Sequence, residues 1–453
     1  MDVTVDAMNN NKKYRLTLLD YVNVCLQSFG DHVMHIVFCP QKPLDLPRFR
    51  RALRLSVDAE PILGCRLLYS RWKPLWQRWD TAVLDSYDWC DEQSAADVDQ
   101  QIQTFLLQKM DCCTEPMVRA RLIRGATDTV CLNVNCVPID GRGLLIYLER
   151  LFGIYNRLAT DPDYRPVATD MERRSTRQLV PYFRWYDIVR MLFFALRNQW
   201  IDRATAHNWR FPYTKEGELD RVFQHYQFSP ATLAAMTKFR QQQGFSFNDL
   251  ILAAFYDGLY AIIQPERDNT FCVLNTYDLR RYEPAGAPDR VANYSSFVNS
   301  NVSMEAGMPF MTLVQRVRAA MAERKRHYPG ITEGPFIWPI FHFLPFGVAR
   351  FVVEKLLAHR GEHIPVLTNV GVIAIERLVL DGERIRSLVP YAPLEYPPKL
   401  TVTVATVGDR ITLSVGYSRS HFRPEHIDRL FTHMEQVIVA MAEGETPLQE
   451  VAA

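Results

Sequence analysis

The chain has almost no charge imbalance. Its 453 residues carry 52 Lys and Arg against 51 Asp and Glu, a net charge of +1. A protein without a global field has no long-range pull toward nucleic acid or anionic lipid. Runs of like charge and internal repeats are also missing. So are a Gly-x-Gly-x-x-Gly turn, a phosphate-binding P-loop and a Gly-x-Ser-x-Gly elbow, which removes the signatures of dinucleotide, nucleotide and serine-hydrolase chemistry. The nine cysteines include no Cys-x-x-Cys pair, and the adjacent Cys112 and Cys113 do not make a metal-ligand pattern. Cys39, Cys131, Cys136 and Cys272 lie in apolar runs, where a reduced thiol packs as a small hydrophobe. The opening residues lack the basic and apolar regions of a signal peptide. With an odd cysteine count this favours a reducing cytoplasm. The longest apolar segment, 336–357, is broken by Pro339, Pro345, Gly347 and Arg350, so no transmembrane helix is expected.

What is present is a packed core in more than one unit. Hydrophobic residues make up 48% of the chain, and the length suits two or three ordinary domains. Mixed α and β patterns fill both halves. Strands are expected at 32–39, 62–69, 117–123 and 129–137 in the first half, with helices at 47–59 and 98–110. The second half has strands at 221–228, 271–276, 295–302 and 366–373, helices at 229–243, 248–263, 311–327 and 424–442, and a hairpin at 400–417 turning on Gly408-Asp409. The two α+β halves meet near 165–215. There an apolar helix at 188–200 is flanked by Arg184, Arg190, Arg197 and Arg203. It either lies on a membrane surface or wedges between two lobes, and the wedge is the plainer expectation.

The stretch 129–158 organises the rest. A buried strand ends at Asn135-Cys136-Val137 and turns at Pro138-Ile139-Asp140-Gly141-Arg142-Gly143. It continues as a helix with Leu144, Leu145, Leu148, Leu151, Phe152 and Tyr155 on one face. Asp140 can cap that helix, and Gly141 and Gly143 allow close approach of backbone or ligand.

Asn135-Cys136-Val137-Pro138-Ile139-Asp140-Gly141 resembles the HHxxxDG signature of the condensation-domain and coenzyme-A-dependent acyltransferase superfamily, with both histidines replaced. Other segments resemble that superfamily in the same order. They are residues 14–20, 53–66, 248–254, Tyr277-Asp278-Leu279-Arg280-Arg281, Phe297-Val298-Asn299 and Thr368-Asn369-Val370-Gly371. The resemblance implies an α+β fold of two chloramphenicol-acetyltransferase-like lobes forming a V with a central tunnel. Residues 1–180 would form the first lobe, 181–215 a linker helix region and 216–453 the second lobe. It implies a stand-alone enzyme of specialised-metabolite biosynthesis acting on an acyl thioester. Its donor would be an acyl or peptidyl carrier protein or a CoA thioester, paired with a small-molecule acceptor. No bound cofactor or metal, no nucleic acid and a monomeric state are expected. The reaction would be amide or ester formation or a diverted step such as cyclisation. The alternative is a catalytically silent homologue that binds a carrier or a hydrophobic intermediate.

The family's tunnel-facing histidine is the catalytic base, and Cys136 stands in its place. A thiol is a poor base near neutrality but a strong nucleophile when activated. Cys136 either takes an acyl group covalently or fills space in an altered tunnel, and both readings stay open. Asn135 is the second candidate for the reaction, and its amide can also hold the turn. By resemblance, Asp140 pairs with Arg280 to fix the motif, and Tyr277, Asn299 and Asn369 are candidates for the tunnel wall. His32, His35, His225, His342 and His421 lie beside apolar segments, with no spacing that marks a metal site or triad. The aromatic segment 336–346 either walls an acyl pocket or forms a core helix-loop.

Overall fold

The computed structural model describes residues 12–94, 96–205, 208–332, 334–361 and 363–443; the opening residues read for a leader lie outside these. Two sheets carry the molecule. The first has five strands in the order Ser387–Tyr391, Val33–Cys39, Thr129–Asn135, Val118–Arg124, Cys90–Ser94. The second has six, ordered Ser295–Met304, Asn269–Asp278, Val366–Ile373, Thr401–Val407, Arg410–Ser418, Arg221–Gln227.

The motif strand Thr129–Asn135 is central in the first sheet, and every one of its residues is buried. That is why its apolar residues Val130, Cys131, Leu132 and Val134 do not follow a strict alternation. The helix Gly141–Thr160 buries Leu144, Leu145, Leu148, Leu151, Phe152 and Tyr155. It packs beside Leu46–Ala59, with Phe49 edge-on to Tyr155 at 6.1 Å, and its Phe152 meets Phe38 of the sheet at 5.1 Å. The second sheet is covered by Phe247–Ile263, Phe310–Lys325 and Pro424–Glu443, whose apolar residues form a separate core. Among the described residues no single helix is long and apolar enough to cross a membrane.

Two expectations are corrected. A boundary at 216 assigns everything after it to the second lobe, yet Ser387–Tyr391 pairs with Val33–Cys39 in the first sheet. Leu394–Glu395 then pairs with Gly30–Asp31 before the chain returns to the second sheet. The edge of Val33–Cys39 has free backbone groups that this excursion satisfies. The second correction concerns the apolar helix, which spans Trp185–Thr205 and is not wedged between the lobes. It buries only Met191, Ala195 and Thr205, while Trp185 and Trp200 are each 77% exposed and Val189, Phe193 and Leu196 lie on the same outward stripe. Its Asn198, Gln199, Asp202 and Arg203 instead face an internal cavity, so polarity and burial are inverted relative to an ordinary surface helix.

One buried charge ties the opening helix Leu18–Leu26 to the motif turn. Asp20 is fully buried and accepts hydrogen bonds from Thr17 N (3.0 Å), Trp76 Nε1 (2.9 Å) and Arg174 Nη2 (3.1 Å). Arg174 Nη2 also donates to the Pro138 carbonyl at 2.7 Å. Removing one partner of a buried pair leaves the other uncompensated, at a cost of about 3–5 kcal/mol. Arg174→Met is therefore expected to lower stability by about that amount. Arg174→Lys should recover only part, since an ammonium cannot hold Asp20 and the Pro138 carbonyl with the same fork. Urea unfolding midpoints of the two variants test this; a midpoint for Arg174→Met equal to that of the parent protein would refute it.

Candidate active site between the lobes

A cavity of about 810 Å³ lies against the motif turn. Its wall takes Leu18, Val22, Met34, Cys136 and Ile139 from the first lobe and Thr276, Ser295, Asn299, Val366 and Thr368 from the second. The volume falls in the range of about 300–1,000 Å³ usual for ligand sites. Most of the lining is apolar, and away from the motif turn its polar residues include two charged clusters. One contains Asp202, Arg203 and Arg324, where Arg324 binds Asp202 and Asn301 Nδ2 donates to Asp202 Oδ1 at 2.8 Å. The other contains Glu395, Tyr396 and Lys399, with Tyr396 donating to Asp31 Oδ1 at 2.7 Å.

The motif turn is clamped from the far lobe. Asp140 caps its helix through Gly143 N at 2.7 Å. Arg280 Nη1 donates to Asp140 Oδ2 at 2.8 Å and Nη2 to Oδ1 at 3.1 Å, a bidentate pair. Tyr294 N donates to Asp140 Oδ2 at 2.6 Å. Of the two glycines, Gly143 is the one that needs to be small: a Cβ there would lie 2.9 Å from the Ala292 carbonyl of the second lobe. A Cβ at Gly141 would meet no protein atom within 4 Å, and this glycine lines the cavity instead of packing against the second lobe.

The sequence candidates divide. Cys136 and Asn299 line the cavity. Asn135 does not; its Nδ2 donates to the Met110 carbonyl at 3.3 Å and its Oδ1 accepts from Val137 N at 3.0 Å. Both ends of the amide are thus spent on holding the turn, and Asn135 is not placed to act on a substrate. Tyr277 lies behind the wall beside Tyr282, and Asn369 Nδ2 points away to Asn248 Oδ1 at 3.0 Å. Their neighbours Thr276 and Thr368 take the wall positions, because successive strand residues face opposite sides. From the aromatic segment, Ile337 reaches the cavity while Phe341 stacks on Tyr21 at 4.9 Å, so the segment both walls and packs.

Of the histidines that no sequence spacing marked, His32 is the one the structure brings to Cys136. Val33 lies opposite Asn135 in the antiparallel ladder, so His32 and Cys136 are the next cross-strand positions. Cys136 N donates to His32 O at 3.0 Å, and His32 Nδ1 lies 3.1 Å from Cys136 Sγ. Burial pushes the imidazole below its ordinary value, with Glu395 and Asp31 pulling the other way, and a hydrogen bond to the Leu26 carbonyl holds a ring N–H. Burial pushes the Cys136 thiol well up. The resting pair is a neutral thiol facing a neutral imidazole, with Nδ1 assigned as acceptor. His35, also on the wall, is engaged differently: Nδ1 meets Asn133 Oδ1 at 2.7 Å, and Asn133 Nδ2 donates to the Phe105 carbonyl at 3.0 Å. The amide oxygen is therefore the acceptor and His35 Nδ1 carries its proton.

Among the described residues one acid–thiol group, Asp111, Cys112 and Cys113, brings its ligand atoms within 4.8 Å. Its carboxylate is already committed to Cys113 N and Thr114 Oγ1.

This architecture matches known structures over nearly its whole length. The first condensation domain of the calcium-dependent antibiotic synthetase, in complex with a substrate analogue, shares 15% identity at a TM-score of 0.71, covering 98% of this chain and 100% of that one. The trichothecene 15-O-acetyltransferase of Fusarium sporotrichioides shares 13% at 0.69, covering 96% and 97%. The cyclization-docking bidomain of a nonribosomal peptide synthetase from Sorangium cellulosum shares 15% at 0.68, covering 97% and 87%. The family described as the WS/DGAT C-terminal domain matches residues 291–442. No curated protein matches the chain in sequence. The class is thus defined by fold: this chain has the fold of the condensation-domain and coenzyme-A-dependent acyltransferase superfamily.

Two outcomes follow from the geometry. Arg280→Ala should lower stability by about 3–5 kcal/mol, because it strands the buried Asp140 carboxylate. Arg280→Lys should restore less than half of that in urea unfolding, since the bidentate fork is lost. Full restoration by lysine would show that charge alone matters. The second outcome concerns acid. Burial, partly offset by the Asn133 hydrogen bond, lowers the His35 pKa from 6.5 to about 4. The unfolded chain then binds this proton first, so stability is lost as pH falls from about 6.5 toward 4, by up to about 3 kcal/mol. His35→Gln should flatten that part of the stability–pH curve; an unchanged slope would exclude His35 as its source.

Proposed function

We propose that this chain is an acyl-transfer enzyme that uses an acyl thioester and works in the cavity between its lobes. The observation that carries the reading is a largely apolar space of about 810 Å³ whose wall includes the motif turn and residues of both sheets. The apolar lining suits a hydrophobic acyl chain, and the two charged clusters suit the ends of a thioester donor and a polar acceptor. Relatives in fold include condensation domains and an O-acetyltransferase, which supports transfer to an amine or hydroxyl. The donor in this reading is a carrier-bound or coenzyme-A-bound acyl group, and the product an amide, an ester or a cyclised derivative. Asp140 and Arg280 are positioning residues that hold the turn, while Cys136 and Asn299 face the substrate.

The missing motif histidines favour one competing reading, a silent homologue that holds a carrier protein or a hydrophobic intermediate. Incubation with a panel of acyl-CoA and acyl-pantetheine thioesters, with amine and alcohol acceptors, separates the two by free-thiol release. Turnover is expected for at least one donor class. Tight carrier binding with no thiol release for any pair would leave the binding module instead. Thr368→Trp, which fills the cavity from its wall, is expected to cut turnover at least about tenfold with folding unchanged by circular dichroism, given how strongly misplacement of bound groups slows reaction. Undiminished turnover in that variant would place the chemistry elsewhere.

A further inference from the structure

We propose that His32 and Cys136 form a nucleophilic pair and that Cys136 carries the acyl group covalently between donor and acceptor. The inference rests on the acyl-thioester reading above and adds the chemical step to it.

The imidazole that the motif has lost returns from the neighbouring strand. The register that sets Val33 against Asn135 sets His32 against Cys136, and His32 Nδ1 stands 3.1 Å from Sγ. Both side chains line the cavity, and among the described residues Cys136 is the one cysteine that does. Of the two cavity histidines, His35 has its Nδ1 proton committed to Asn133, which leaves His32 Nδ1 as the acceptor at the thiol. The clamp extends to this corner: Asn293 Nδ2 donates to the Cys136 carbonyl at 3.3 Å, holding the nucleophile's backbone from the second lobe. A nucleophile within reach of a base, the base oriented by a further group, is the arrangement that activates weak nucleophiles. The Leu26 carbonyl, which favours a proton on the imidazole, is the group that can play that part.

The neutral resting state suits this step. Cys136 attacks the donor carbonyl carbon while its proton passes to His32 Nδ1. The bond to the donor sulfur breaks, and that sulfur takes the proton and leaves as a free thiol. An amine or hydroxyl then gives its proton to His32 and attacks the Cys136 thioester. Cys136 leaves and regains the proton from the imidazolium. Donor thioester and acceptor become amide or ester plus thiol, with no oxidant or metal in the balance. Groups acting on His32 are the Glu395 and Asp31 carboxylates and the Lys399 ammonium, and Glu395 and, more weakly, the Cys112 thiol also act on Cys136.

The test uses the full chain. Acid-quenched incubation with acyl N-acetylcysteamine and acyl-CoA thioesters should give an intact mass raised by one acyl group. The acyl group should map to Cys136, be removed by hydroxylamine and be absent in Cys136→Ala. His32→Ala should slow acylation by on the order of 10²–10⁴, the usual worth of a general base, with the melting temperature kept and partial rescue by added imidazole. Iodoacetamide should alkylate Cys136 in the parent protein at least about tenfold faster than in His32→Ala. Full turnover by Cys136→Ala, or turnover with no adduct at Cys136, would overturn the covalent step and leave the acyl-transfer reading standing. An inert Cys136 toward iodoacetamide would overturn the pair outright. Rapid His32-dependent alkylation with no thioester consumed would keep the pair as a reactive thiol and remove the acyl-transfer reading.

Discussion

The structure depends on a carboxylate buried between two lobes and satisfied from both. Asp140 receives its own helix's Gly143 N–H, two N–H groups of Arg280 and the Tyr294 N–H. A carboxylate that is 5% exposed needs such partners to offset the cost of its burial. The lobes must therefore meet in one register for the turn to exist at all. Gly143 enforces the same closeness sterically, since any side chain there would press on the Ala292 carbonyl.

A turn held this firmly can lose its own reactive groups and still present a site. The strand that ends at Asn135 delivers Cys136 to the cavity, and the partner strand that begins at Val33 delivers His32 beside it. Asn135 has become part of the scaffold, both ends of its amide hydrogen-bonded within the first lobe. The excursion of Ser387–Tyr391 and Leu394–Glu395 into the first lobe matters here too. It carries Glu395 and Lys399 to the wall near His32, so a segment late in the chain sets the electrostatics of a residue near its start. Low dielectric around the pair strengthens each of these interactions and keeps both partners neutral at rest.

The inverted helix Trp185–Thr205 shows the limit of reading burial from hydrophobicity. Its polar residues are needed at the cavity, where Asp202 meets Arg324 and Asn301. The apolar stripe, with Trp185 and Trp200 at its ends, is left facing outward. Composition alone cannot reveal this, because an apolar helix looks the same whether its stripe is covered or not.

Much of the fold and part of the site was legible in the residues themselves. The strand at 129–137, the capped helix with its three- and four-residue apolar steps and the second-lobe helices are local matters, written by periodicity and capping chemistry. The Asp140–Arg280 pairing came from the order of motifs, not from any local signal. Tyr277 and Asn369 were misplaced by one position, since strand parity decides the facing side and a motif match does not set it. His32 stayed hidden although both strands were expected, because which strand pairs with which, and in what register, is a long-range outcome of packing. The pairing of Ser387–Tyr391 was hidden for the same reason. The sequence by itself determined the elements, the cap and the thiol; the tertiary structure decided the sheet register, and with it which imidazole meets that thiol, because only chain segments brought together by the core can set distances between residues a hundred positions apart.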